Sequence, residues 1–95
     1  MSEKHRWTLV EDEYCCKRYV EEYVIRKSNM DMSSFARLLS KELSEIKESS
    51  LKMKITNIKQ ILMDMGIEDS LAVKPLKNYS QQNKKAMEKV LKDIK

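Results

Sequence analysis

One glycine, one proline and one phenylalanine in 95 residues leave this chain without the turn-formers and strand-formers of a sheet protein. That scarcity excludes most β architectures and points to an all-α fold. No apolar run approaches the roughly 20 residues of a membrane-spanning helix. The opening, MSEKHRWTLVEDE, is charged where a signal peptide is greasy, so a cytoplasmic protein with no membrane partner is expected. Histidine occurs once, at His5, with no second His and no Asp or Cys at motif spacing, which removes support for a metal site or His-based catalysis. The two cysteines, Cys15 and Cys16, are adjacent. On a helix they point to different sides, cannot readily bridge each other and are too few for a zinc quartet; at most one is expected in the core. The acidic run Glu11, Asp12, Glu13 falls in a first helical turn, where it meets the positive end of the helix dipole. With no nucleophile, phosphate loop or metal constellation, no enzyme activity, cofactor or small-molecule substrate is expected.

What is present is 41% hydrophobic and 36% charged residues, enough for one domain with a modest core. The net charge of +4 is uneven: residues 1–30 carry six positive and six negative side chains, 31–48 three and four, 49–66 three and one, and 67–95 seven and four. A basic C-terminal half is compatible with a nucleic-acid surface. Thr8 and Glu11 have the spacing of a capping box, and Val10, Tyr14, Cys16, Tyr19, Val20, Tyr23 and Val24 predict a long first helix of about five turns. Trp7 suits a staple or a plug between helices better than a base-stacking role. Asp31 or Ser33 caps a second helix with Phe35, Leu38, Leu39, Leu43 and Ile46 inward. A third helix, about residues 50–65, is opened by serines and closed by Gly66. Residues 67–79 form a connection packed through Ile67, Leu71, Val73 and Leu76. A last helix, capped by Ser80, has a narrow seam of Met87, Val90, Leu91 and Ile94 that docks weakly or meets a partner. Met53, Met63, Met65 and Met87 read as core filler; Met30 and Met32 are candidates for exposure.

The third helix, within ESSLKMKITNIKQIL, carries the functional signal. Leu51, Ile55, Ile58 and Leu62 recur at spacings of four, three and four and share one face. Lys52, Thr56, Asn57, Lys59 and Gln60 are then expected outside it. Lysines neutralise phosphates, and Asn or Gln offers a donor and an acceptor to an adenine edge. Arg37 and Lys41 of the second helix are candidate backbone contacts.

The residues W-T-L-V-E-D at 7–12, and Ser50, Leu51, Lys54, Ile55 and Asn57 of the third helix, resemble a Myb/SANT-like helix-turn-helix repeat. The segment SSLKMKITNI is also similar to one in the helical modules ahead of HNH nuclease domains in bacterial and phage proteins. The resemblance implies Lys54 and Asn57 toward DNA and Leu51 and Ile55 in the core. It divides the chain into a tail (1–6), a three-helix domain (7–66), a connection (67–79) and a basic helix (80–95). The expected function is binding of double-stranded DNA by a small bacterial or phage regulator, nucleoid-associated if so, with specificity from a homodimer, a tandem partner or another protein. The alternative is a phage-type interaction module that inhibits or redirects a host or defence-system enzyme such as a nuclease, using Tyr79, Lys84, Lys85 and Lys89.

Overall fold

Local chemistry sets each helix start. In the computed structural model, which describes residues 6–94, the Thr8 hydroxyl accepts the Glu11 amide (3.1 Å) while the Glu11 carboxylate accepts the Thr8 amide (3.0 Å). This reciprocal box opens α1 (Leu9–Tyr19), which runs into a π-helical turn, Val20–Ile25. His5 and Lys95 lie outside the described residues. The Asp31 carboxylate caps α2 (Met32–Glu42) by accepting the Ser34 amide (3.1 Å) and hydroxyl (2.7 Å). The third helix, α3 (Glu48–Asp64), starts earlier than its serines suggest: Lys47 is the N-cap residue, without a side-chain cap, and Ser49 and Ser50 lie inside the first turn. Gly66, at φ 73°, ends α3 in a Schellman motif, with Ile67 N–H on the Leu62 carbonyl (2.8 Å) and Gly66 N–H on that of Met63 (3.0 Å). Ser80 opens α4 (Gln81–Ile94), its hydroxyl accepting the Asn83 amide at 3.0 Å.

Among the described residues the architecture is all-helical, and no helix is long and apolar enough to cross a membrane. The most extensive pairings are α1 with α4 and α2 with α3, and α3 also touches α1 and α4. Leu51, Ile55, Ile58 and Leu62 are fully buried, as their spacing requires. They meet an aromatic cluster in which the Tyr23 ring lies 5.0 Å from Tyr19 and 5.1 Å, edge-on, from Phe35. Both buried tyrosines satisfy their hydroxyls, Tyr23 on the Met30 carbonyl and Tyr19 on Asp69, each at 2.9 Å.

Several expectations are corrected. Cys15 and Cys16 are both buried, because the inward side of α1 spans Asp12, Cys15, Cys16 and Tyr19, wide enough for adjacent positions. Val10 is 74% exposed, Met53 57% and Met63 52%, so these three are not core. Nor is α4 loosely docked: Asn83, Ala86, Met87 and Val90 are all buried, a stripe of the same width one turn nearer the N-terminus, while Ile94 of the expected seam is 43% exposed.

The connection 67–79 packs through Leu71, which is buried, and through Ile67, Val73 and Tyr79 against the core, whereas Leu76, the fourth expected anchor, is 39% exposed. Ser70 N–H bonds the Tyr23 carbonyl (2.9 Å) and Leu76 N–H the Thr56 carbonyl (3.2 Å). Asp69 gathers the Tyr19 hydroxyl (2.9 Å), the Lys59 ammonium (3.0 Å) and the Leu71 amide (3.1 Å) on one oxygen. These bonds pin the connection alongside α3, which decides what that helix presents.

Candidate functional site

The inward face of α3 is wider than its apolar residues indicate, because Lys54 and Ile61 belong to it. Lys54 lies three residues after Leu51 and four before Ile58, on the same stripe. Its ammonium reaches Asp12 at 2.7 Å, with the two side chains 7% and 0% exposed. It also sits 4.5 Å from the centre of the Trp7 ring. Gln82 of α4 donates to the other Asp12 oxygen (2.8 Å) and to the Trp7 carbonyl (2.7 Å). One polar knot thus ties the chain before α1, α1 itself, α3 and α4 together. Two buried charges tolerate such a position only when each is paired and hydrogen-bonded. Lys54 is therefore buried and charge-paired, contrary to the expected outward position.

Lys59 is also engaged, 3.0 Å from an Asp69 carboxylate that is 1% exposed. Thr56 gives its hydroxyl to the Met53 carbonyl (2.8 Å) and its own carbonyl to the connection. Gln60 and the Tyr79 hydroxyl each bond Asp64 at 2.7 Å. Those two donors, Tyr79 first, hold the Asp64 carboxyl below its ordinary range, and the bond to Asp64 in turn raises the Tyr79 hydroxyl. Arg37 lies 3.9 Å from Glu48 and remains mostly exposed. Lys41 is exposed and Lys52 half-exposed, neither in an ion pair among the described residues. Asn57 is half-buried, and its side-chain oxygen is buried without a hydrogen-bond partner. Of the residues in the alternative interface, Tyr79 is held by Asp64 and Lys89 by Glu13 at 2.7 Å, while Lys84 and Lys85 have no ion pair among the described residues.

Sequence reasoning missed a groove of about 440 Å³ that opens where α3 meets the residues on either side of it in space. Trp7, Ser50, Met53 and Asn57 form part of its wall, Asn78 and Gln82 another part, and Lys54 lies within it. No carboxylate lines it. Arg6, Lys52 and Lys77 adjoin Trp7, Met53 and Asn78 in sequence, and none of these cations has an ion pair among the described residues. The groove joins segments far apart along the chain, so no local motif announced it. The one available signal was charge: Asp12 and Lys54, of opposite sign, each occupy a core position of their helix.

Burial pushes the Cys15 thiol up to about 12 and raises Cys16 as well, which keeps both protonated. Among the described residues no group of three or more His, Cys, Asp or Glu is placed to hold a metal ion. Aromatic, amide and cationic side chains around a groove are equipped to bind. The chain has no significant match to a protein-family model, a curated protein or a solved structure.

Proposed function

We propose that the chain is a Myb/SANT-like helix-turn-helix module that binds double-stranded DNA through the N-terminal half of α3 and the neighbouring connection. The observation that carries this reading is a carboxylate-free groove on that half of α3, with Lys52 and Lys77 next in sequence to its lining residues Met53 and Asn78 and unpaired among the described residues. In helix-turn-helix proteins the N-terminal residues of the second helix meet base edges. The C-terminal half of α3 is a poor reader, since Lys59 is neutralised by Asp69 and Thr56 carries the connection. Lys52 and the lysines of the connection neutralise phosphates, Lys41 and Arg37 support from α2, and Asn57 meets a base edge. The module binds and does not catalyse. With so few phosphate contacts its affinity is low, and a second copy or another protein supplies specificity.

A second reading, docking on a protein such as a nuclease, is favoured by the exposure of Met53 (57%) and Leu76 (39%), adaptable apolar side chains of the kind used at protein interfaces. The two separate by charge. Lys52→Gln with Lys77→Gln is expected to weaken duplex binding about tenfold, whereas Lys17→Gln with Lys27→Gln, at α1 and its end, changes it little. Equal effects of the two pairs would overturn the DNA reading.

A further inference from the structure

We infer that the groove beside Trp7 receives one unstacked nucleobase of a bound strand, an inference that rests on the nucleic-acid reading and names what the groove takes. The wall is aromatic and fixed: Trp7 carries the Lys54 ammonium 4.5 Å from its ring centre, and its carbonyl is tied to Gln82 at 2.7 Å. An immobilised indole offers stacking to any base without further loss of side-chain freedom. Around it converge the carboxamides of Asn57, Asn78 and Gln82 and the Ser50 hydroxyl, the neutral donor and acceptor pairs that match base edges. Gln82 gives its side-chain nitrogen to Asp12 and Trp7, which leaves its oxygen to accept from a ligand. Asn57, on the wall of the groove, has a buried side-chain oxygen without a hydrogen-bond partner, a desolvation cost that a ligand's donor at this wall would offset.

Size and charge narrow the occupant. At about 440 Å³ the space lies in the range of small-ligand pockets, about 300–1,000 Å³, and suits a single planar ring system better than a helix. A carboxylate-free lining with Arg6, Lys52 and Lys77 beside it in sequence complements the phosphates on either side of the base. A base within the stack cannot reach such a wall, so the occupant is an unpaired or extruded one.

Trp7 is the only tryptophan, so its emission reports the groove directly. The full chain is titrated with a fully paired duplex, with the same duplex carrying one bulged adenine, and with that bulge made abasic. Adenosine monophosphate serves as the free-nucleotide arm. The bulged adenine is expected to quench Trp7 and to bind about tenfold tighter than the abasic bulge. Asn78→Ala, an exposed position checked by thermal melting, is expected to lose that preference. Equal binding of adenine and abasic bulges without an emission change overturns the base pocket, and the DNA reading still stands if the paired duplex binds. If adenosine monophosphate quenches as strongly as the bulged duplex and the strand adds nothing, the strand is overturned as occupant and the groove is a free-nucleotide site.

Discussion

Replacing Asp12 by Asn tests the buried knot with the smallest change of shape. Asp12→Asn keeps an oxygen for Gln82 to donate to, but removes the negative charge 2.7 Å from Lys54. Lys54, 7% exposed, then holds an ammonium with no counter-charge. Removing one partner of such a buried pair costs about 3–5 kcal/mol, a large share of the roughly 5–15 kcal/mol that holds a domain folded. Lys54→Met fills the same volume and leaves the Asp12 carboxylate stranded, so its cost is expected to be similar. The double variant Asp12→Leu, Lys54→Met removes both charges and is expected to lie within about 1 kcal/mol of wild type or to exceed it, since apolar replacements of buried pairs are often neutral or stabilising. Urea unfolding followed by far-ultraviolet circular dichroism gives the stabilities, and adding Asp12→Leu alone completes the cycle with Lys54→Met and the double variant that isolates the coupling. A cost for Asp12→Asn below about 1 kcal/mol, the worth of an exposed pair, would refute the burial of this charge.

Three further outcomes follow from the same packing. Ile55→Ala removes a fully buried side chain and is expected to cost about 2–5 kcal/mol, while Asn57→Ala, which deletes a buried oxygen without a partner, is expected to cost far less; similar urea midpoints for the two would mean that the faces of α3 are misassigned. The Cys15 thiol, pushed up to about 12 by burial, should resist alkylation near pH 8 in the folded chain and react on denaturation, so rapid native labelling would contradict the packing of α1. The Asp64 carboxyl is held below its ordinary value of 3.8 by Tyr79 and Gln60, so its contribution is present above that value and is lost as pH falls through the lowered folded value. Melting of wild type should therefore drop more steeply below about pH 4 than melting of Asp64→Asn, and parallel profiles would show that the bonds to Asp64 do not support the fold.

Periodicity and capping made most of the helical framework legible. Thr8 with Glu11, Asp31 and Gly66 mark ends by hydrogen bonds that involve only neighbouring residues, and the stripe from Leu51 to Leu62 states its own face. Position was harder to read for side chains whose partners lie far along the chain. The Myb/SANT resemblance turns Lys54 toward DNA, although its spacing from Leu51 and Ile58 is that of a core residue and its partner Asp12 lies on the facing helix. Lys59 turns on Asp69 in the same way. Adjacency argued against burying both Cys15 and Cys16, yet α1 is packed over a face broad enough to take the two. The groove needed three distant segments, Trp7, the first half of α3 and residues 78–82, to be assembled before any of its lining had meaning.

The salt dependence of duplex affinity tests DNA binding most directly. Four contacts from Lys41, Lys52, Lys74 and Lys77 would make log affinity fall with log salt at a slope of about −3 to −4, since each neutralised phosphate contributes about −0.9. Fluorescence anisotropy of a labelled random duplex between about 50 and 200 mM salt is expected to show that slope. Absence of duplex binding at about 50 mM, where phosphate-driven association is strong, or an affinity that does not change with salt, would contradict it.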